Sequence, residues 1–128
     1  MNINELKNLA ESLIETFLNA GQKAMELRNK GLKITFKSDN SPVTNGDLEV
    51  DKLLRKRIIK ITPNIPLISE ETVNLTKNNK YKNFWLVDPI DGTREYINNE
   101  NEFTLNASLI IDLEPAIGVI YAPAKKRL

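Results

Sequence analysis

The segment from Phe84 to Thr93, which reads FWLVDPIDGT, decides the fold. Its first four residues are apolar, and an unbroken apolar run is typical of a strand that is buried on both faces. We expect this strand to end abruptly at Asp88. The residues that follow, with Pro89 and Gly92 among them, also have the composition of a simple turn. The segment therefore predicts a buried strand that carries Asp88 and Asp91 at its exposed end.

A hairpin is predicted downstream of this segment. Apolar and polar residues alternate from Phe103 to Ile111, which is the pattern of a strand with one buried face. A turn over 112–115 and a returning strand over 116–121 complete the hairpin.

Two amphipathic helices are predicted upstream. Apolar residues recur at helical spacing from Ile3 to about residue 30, with Asn2 or Asn4 as the N-cap and Gly31 at the end.

The second helix fits residues 45–61, where Thr44 caps the start and Asp47 stands three residues later, as in a capping box. Short strands are expected at 32–37 and 65–68, and loops at 38–42 and 72–82. Helices that precede a sheet favour the α+β class, with two N-terminal helices packed on a mainly antiparallel sheet in two layers.

Composition excludes several kinds of chemistry. The chain has 128 residues, enough for one domain, with no His and no Cys. Catalytic triads with His, thiolate nucleophiles and His- or Cys-ligated zinc are therefore excluded. Any catalysis must therefore depend on carboxylates, hydroxyls, basic side chains, Tyr, or a hard metal ion with oxygen ligands.

Charge and hydropathy also narrow the partners. The net charge of +1, with basic residues clustered only at 125–127, argues against nucleic-acid binding. No apolar run approaches the roughly 20 residues of a membrane span, and the N-terminus does not resemble a signal peptide. We expect a cytoplasmic protein, with peripheral membrane association left open.

Acidic residues mark the ends of predicted elements at Asp47, at Glu70 with Glu71, and at Asp88 with Asp91. If the strand before Glu70 neighbours the strand before Asp88, these carboxylates converge. Converging carboxylates repel one another unless a cation neutralises them, and Mg²⁺ suits such a site.

The segment that follows these carboxylates predicts a place for phosphate. Gly92 permits close backbone approach, and Gly92 with Thr93 opens a short helix at 94–97 whose free N–H groups suit a phosphate. Taken alone, each acidic cluster is also consistent with a helix cap, a turn or a solvent-exposed strand end. Because all of the clusters are acidic and all lie at the ends of predicted elements, we favour a functional role for them.

Three motifs in order resemble those of the inositol monophosphatase superfamily, a group of Mg²⁺-dependent, lithium-sensitive phosphatases. They are SPVTNGD at 41–47, LISEE at 67–71 and WLVDPIDGT at 85–93. The stretches 94–97, 102–106 and 118–123 are closer to the branch of 3′(2′),5′-bisphosphate nucleotidases. The resemblance implies the first half of the sugar-phosphatase fold and two or three Mg²⁺ ions in the complete site.

The resemblance also implies a set of metal ligands. Glu70, Asp88 and the Ile90 carbonyl would bind the first Mg²⁺, and Asp88 and Asp91 would share the second.

Further residues take roles in the reaction by the same resemblance. Thr93, oriented by Asp47, would activate the attacking water, and the amides of Gly92 and Thr93 would hold the phosphate. The implied reaction converts 3′-phosphoadenosine 5′-phosphate and water to AMP and phosphate.

The chain departs from the family pattern in two respects. Family members carry a second half with a W-D-x-A-like motif, and residues 1–128 contain neither, so we expect a metal-binding N-terminal domain without its C-terminal domain. Gly46 stands where Ala is common, which we expect to weaken the helix start by up to about 1 kcal/mol.

Three readings of function stay open. The first is a bisphosphate nucleotidase with little activity in this form, whose partners are a phosphorylated small molecule and either a complementing C-terminal half or a second copy. The second is a phosphatase for inositol phosphates. The third is an inert remnant of a split or truncated gene.

Overall fold

The computed structural model describes residues 1–69 and 81–128. Over these ranges the chain forms three α-helices and six strands. The helices are α1 (Ile3–Lys30), α2 (Asn45–Ile61) and α3 (Thr93–Ile97), and the strands are β1 (Ile34–Phe36), β2 (Pro42–Thr44), β3 (Leu67–Ser69), β4 (Phe84–Asp91), β5 (Thr104–Ile111) and β6 (Glu114–Tyr121). A 3₁₀ turn follows at Pro123–Lys125.

The two long helices begin and end where their capping residues predict. The Asn2 side chain accepts the amide of Glu5 at the start of α1, and Gly31 ends this helix with φ of 97°. Thr44 and Asp47 form a reciprocal capping box at the start of α2. These bonds satisfy amide groups that the first turn of a helix otherwise leaves unpaired.

The sheet has the order β3-β4-β5-β6. β3 runs parallel to β4, while β4–β5 and β5–β6 are antiparallel, so the sheet is mainly antiparallel as predicted. The α1 and α2 helices pack together on one face, which confirms the two-layer α+β architecture. The core between the layers includes Phe17, Leu54, Trp85, Leu105 and Leu109, all with no exposed surface.

Some predicted boundaries were wrong. The strand predicted at 65–68 lies at Leu67–Ser69, and the turn predicted at 112–115 occupies only two residues, so Glu114 and Pro115 belong to β6. Asp112 and Leu113 both have positive φ, which matches the twist of a two-residue hairpin. Most of the loop predicted at 72–82 lies outside the described residues.

A second hairpin was missed. The segment Pro42–Thr44 forms β2, which pairs with β1 as a separate two-stranded sheet. All three residues of β1 are exposed, so the hairpin has little hydrophobic patterning that could have predicted it. Within the described ranges, no helix is long and apolar enough to cross a membrane.

Candidate active site

A bulge in β4 brings two aspartates to one place. Asp88 pairs with Asn106 of β5 and Asp91 pairs with Thr104, so β4 has one residue more than its partner over this interval. The expected end of the strand at Asp88 is therefore wrong, because pairing with β5 resumes at Asp91. Pro89 is tolerated here because a bulge leaves backbone groups out of the ladder.

The extra residue changes where the two carboxylates point. On a regular strand, residues three apart lie on opposite faces of the sheet. With one bulged residue between them, Asp88 and Asp91 line the same cavity. A β-bulge that re-aims side chains in this way is frequent beside functional sites.

The cavity has a volume of about 370 Å³ and collects residues from three elements and their ends. Its wall consists of Lys37, Ser41, Pro42, Asp88, Ile90, Asp91, Gly92, Thr93, Arg94 and Glu95. Ile90 has a buried side chain, and its carbonyl oxygen lies 3.4 Å from the Thr93 hydroxyl, so its backbone belongs to the site.

Asp47 joins this cavity to the start of α2. Its Oδ2 atom accepts hydrogen bonds from the Thr44 amide at 2.9 Å and the Thr44 hydroxyl at 2.6 Å. Its Oδ1 atom accepts the Thr93 hydroxyl at 2.9 Å. Asp47 is 2% exposed and its carboxylate is thus a fixed, fully engaged acceptor. Sequence spacing predicted the cap, whereas the bond to Thr93 spans 46 positions and connects two elements.

Gly92 lets the chain turn from β4 into α3. Its φ is 88°, in the left-handed region, and a Cβ there would come within 2.9 Å of the Glu102 carbonyl. A side chain at this position would be strained and crowded. α3 begins at Thr93, one residue earlier than predicted, which directs the Thr93 hydroxyl toward Asp47.

Tyr96 anchors α3 to both long helices. Its hydroxyl donates to the Ala24 carbonyl of α1 at 2.5 Å, and its ring lies against Gly46 of α2. A Cβ at Gly46 would overlap the Tyr96 ring and hydroxyl, so Gly allows this close approach and offsets its low helix propensity. Burial, and secondarily the nearby Asp47 charge, raise the pKa of Tyr96 to about 12, against the opposing influence of Arg28.

The loop between β1 and β2 supplies Ser41 to the cavity. Asp39 accepts hydrogen bonds from the Ser41 hydroxyl at 2.5 Å and from its amide at 2.9 Å. These bonds lower the pKa of Asp39 below its usual value. Sequence reasoning predicted this loop and included Ser41 and residues 94–97 in motifs, but it gave Lys37, Arg94 and Glu95 no role at the site, because their place in the cavity depends on the β1–β2 hairpin and on α3.

The position of β3 meets the condition set for Glu70. Ser69 pairs with Val87 in parallel register, so both strands end at the same edge of the sheet. Glu70, the predicted metal ligand that follows, lies outside the described residues with Glu71. Among residues 1–69 and 81–128, no three acidic side chains cluster closely enough to form a complete metal site.

The donors that are described nevertheless suit a hard cation. Two carboxylates, from Asp88 and Asp91, and a backbone carbonyl from Ile90 line one cavity. These are all oxygen donors, which Mg²⁺ and Ca²⁺ prefer, and Mg²⁺ commonly takes only one or two protein carboxylates.

Comparisons with known proteins show the family of this chain and agree with its fold. The profile of the inositol monophosphatase family matches residues 5–128, and the chain belongs to this family. A curated relative, the 3′(2′),5′-bisphosphate nucleotidase CysQ of Aggregatibacter actinomycetemcomitans, is 36% identical over 118 residues, covering 91% of this chain and 44% of that protein. The chain thus spans less than half the length of this relative.

Solved structures extend the likeness. CysQ from Bacteroides thetaiotaomicron is 34% identical with a TM-score of 0.65, over 93% of this chain and 44% of that one. An IMPase/NADP phosphatase solved with Mg²⁺ and phosphate superposes with a TM-score of 0.78 at 20% identity, over 95% of this chain and 46% of that one. The latter likeness supports the fold alone.

Proposed function

We propose that this chain is the metal-binding N-terminal part of a Mg²⁺-dependent phosphatase of the 3′(2′),5′-bisphosphate nucleotidase type. Its reaction would convert 3′-phosphoadenosine 5′-phosphate and water to AMP and inorganic phosphate. Membership in the inositol monophosphatase family and relatives named CysQ bisphosphate nucleotidases support this proposal.

The hydrogen bond between Thr93 and Asp47 carries the proposal. Because the Thr93 hydroxyl donates its hydrogen to Asp47, its oxygen lone pairs remain available to accept a hydrogen from water. Thr93 lines the cavity that also contains Asp88 and Asp91. A water in that cavity would therefore meet an oriented acceptor beside the predicted cation and phosphate positions.

Asp88, Asp91 and the Ile90 carbonyl would hold the divalent cations, together with Glu70, which follows Ser69 in the sequence. Bound there, a divalent cation lowers the pKa of water and neutralises charge on the leaving oxygen. Cation binding would thus account for the bulge, which brings Asp88 and Asp91 to one cavity near the end of β4.

The reaction itself needs one proton relay from this chain. Thr93 orients the attacking water, accepts its proton and passes its own proton to Asp47. The new bond joins the water oxygen to phosphorus, and the bond from phosphorus to the 3′-oxygen breaks. The released 3′-oxygen takes up a proton from solvent water, and Asp47 returns the proton it accepted to the solvent. The amides of Gly92 and Thr93 would hold the phosphate during this exchange.

We expect residues 1–128 alone to have low activity, because the relatives are much longer. Because CysQ of A. actinomycetemcomitans is more than twice as long as the match, we expect residues 1–128 alone to turn over weakly or not at all. A C-terminal half, covalently attached or supplied by another chain, would complete the pocket.

Phosphate release from 3′-phosphoadenosine 5′-phosphate and from inositol 1-phosphate tests the proposal. The assay would use the 128-residue chain with Mg²⁺ or EDTA, and the same chain joined to the C-terminal half of a CysQ relative. The Asp88→Asn variant controls for contaminating phosphatase, and Asp112→Asn, at the far end of the sheet, is the matched substitution.

Mg²⁺-dependent release that Asp88→Asn abolishes and Asp112→Asn preserves would support the proposal, with the preferred substrate indicating the branch. Faster release from inositol 1-phosphate would favour an inositol-phosphate phosphatase. Failure of both the chain and the fusion would favour the inert remnant.

A further inference from the structure

The catalytic cavity continues into a second groove on the outer side of α3. This groove has a volume of about 190 Å³. It is lined by Ile34, Phe36, Pro42, Arg94, Ile97 and Asn98. Pro42 and Arg94 also line the catalytic cavity, so the two spaces adjoin at these residues.

Arg94 is an exposed cation at this junction. Across the described ranges, its guanidinium takes part in none of the hydrogen bonds or ion pairs that the side chains form. Three other arginines differ, since Arg55 pairs with Asp51 at 3.3 Å, and Arg28 and Arg57 donate to backbone carbonyls. The Arg94 guanidinium thus has all its donors available for a ligand.

Thr93 and Arg94 are consecutive residues of α3 that face different surroundings. Successive residues of an α-helix are rotated by about 100°, so neighbouring side chains point in different directions. Thr93 points inward to Asp47, while Arg94 lies at the junction with the outer groove. A group that Arg94 binds on the side of the outer groove, which Thr93 does not line, would therefore differ from the group beside Thr93.

We propose that Arg94 binds the second phosphate of a substrate that carries two, and so determines specificity for a nucleoside bisphosphate over a monophosphate. This inference rests on the proposed function and assigns its substrate preference to one residue. The planar guanidinium fits a phosphate with two parallel hydrogen bonds.

The groove beside Arg94 fits the remainder of such a substrate. Phe36 is 68% exposed and Ile34 is 40% exposed, so both offer apolar surface to a ligand at the cavity mouth. A nucleobase stacks favourably on an exposed aromatic ring. We therefore place the nucleoside along β1, with its reacting phosphate at Asp88 and its other phosphate at Arg94.

Two ligands that differ only in the second phosphate test this assignment. Affinities for 3′-phosphoadenosine 5′-phosphate and adenosine 3′-monophosphate would be measured by calorimetry with Ca²⁺ in place of Mg²⁺, for the chain joined to the C-terminal half of a CysQ relative. Wild type is compared with Arg94→Gln, with Arg94→Lys, and with Arg127→Gln as the matched control at another exposed arginine. Thermal unfolding checks that each variant is folded.

We expect Arg94→Gln to weaken the bisphosphate by about tenfold and the monophosphate little, since bonds between charged groups are the strong ones. Arg94→Lys would retain part of the preference, and Arg127→Gln all of it. An equal loss for both ligands, or an unchanged preference in Arg94→Gln, would overturn the inference while leaving the proposed function intact. Failure of the wild-type fusion to bind either ligand would instead overturn the proposed function, and this inference with it.

Discussion

Two parts of the candidate site differ in how their carboxylates are held. In the first, which we call the hydrogen-bonded part, Asp47 is buried and accepts hydrogen bonds from Thr44 and Thr93. In the other, the carboxylate part, the bulge of β4 brings Asp88 and Asp91 to the wall of an open cavity. In the first part, a buried carboxylate is held by hydrogen bonds within the chain, whereas in the second, two carboxylates line an open cavity whose wall also includes Lys37 and Arg94.

This difference separates stability from function. Removing Asp47 takes away a partner from buried donors, so it harms both the fold and the chemistry. Asp91 is exposed on the wall of the open cavity, so removing its carboxylate should harm the chemistry while sparing the fold. Comparing unfolding with and without Mg²⁺ can therefore tell the two parts apart.

The largest effect on stability is expected at Asp47. Asp47→Ala removes part of the helix cap and leaves the buried amide and hydroxyl donors of Thr44 without their acceptor, so we expect the free energy of unfolding to fall by about 3 kcal/mol. Urea denaturation followed by circular dichroism measures this change, with Mg²⁺ and with EDTA. Asp51→Ala, one turn along α2, removes a carboxylate that is 26% exposed and pairs only with Arg55, and should cost far less. Equal costs for the two variants would contradict the distinction.

The stability of the fold around Tyr96, which lies near Asp47, should depend on pH. Its pKa is raised to about 12 in the folded chain against 10 when unfolded, so its stabilising contribution is complete below pH 10 and is lost as the pH rises toward 12. The loss can reach about 2–3 kcal/mol. Denaturation curves at several pH values give the free energy of unfolding, which should fall more steeply between pH 10 and 12 for wild type than for Tyr96→Phe. An equal fall for the two proteins would contradict a raised pKa at Tyr96.

The smallest effect on stability is expected at Asp91. In EDTA, Asp91→Asn should shift the Tm by less than about 2 °C, because the side chain is exposed on the cavity wall. With Mg²⁺, wild type should gain stability by ligand binding, about 2.7 kcal/mol at 100 times the Kd, and the variant should gain less. Asp112→Asn should behave as wild type in both conditions. A large loss in EDTA would show that Asp91 is structural.

Local signals account for the parts of the fold that sequence predicted well. The limits of α2 follow from Thr44 and Asp47, which lie three residues apart and cap the helix in isolation from the rest. The alternation along β5 likewise needs only the pleat of one strand. The order of the acidic motifs placed Asp88, Asp91 and Thr93 together, and their roles stay predictions.

What sequence missed depends on pairing between distant segments. The end of β4 was placed too early, because the bulge after Asp88 exists only where Asn106 and Thr104 resume the ladder. The strand predicted at 32–37 exists as β1, but its pairing with β2 was missed because the three residues of β2 are too few to show a strand pattern. Arg94 gained its proposed role only from the junction of two cavities.

Binding of Mn²⁺ as a probe for the divalent cation tests the central claim most directly. Electron paramagnetic resonance of free Mn²⁺ would be recorded with wild type, Asp88→Asn and the control Asp112→Asn, and Mg²⁺ would then be added as a competitor. We expect wild type and Asp112→Asn to bind Mn²⁺ and release it to Mg²⁺, and Asp88→Asn to bind at least about 100-fold more weakly, since even residues that only support a metal ligand change affinity by 10–100-fold. Equal binding by Asp88→Asn and wild type would contradict a metal site at the bulge of β4.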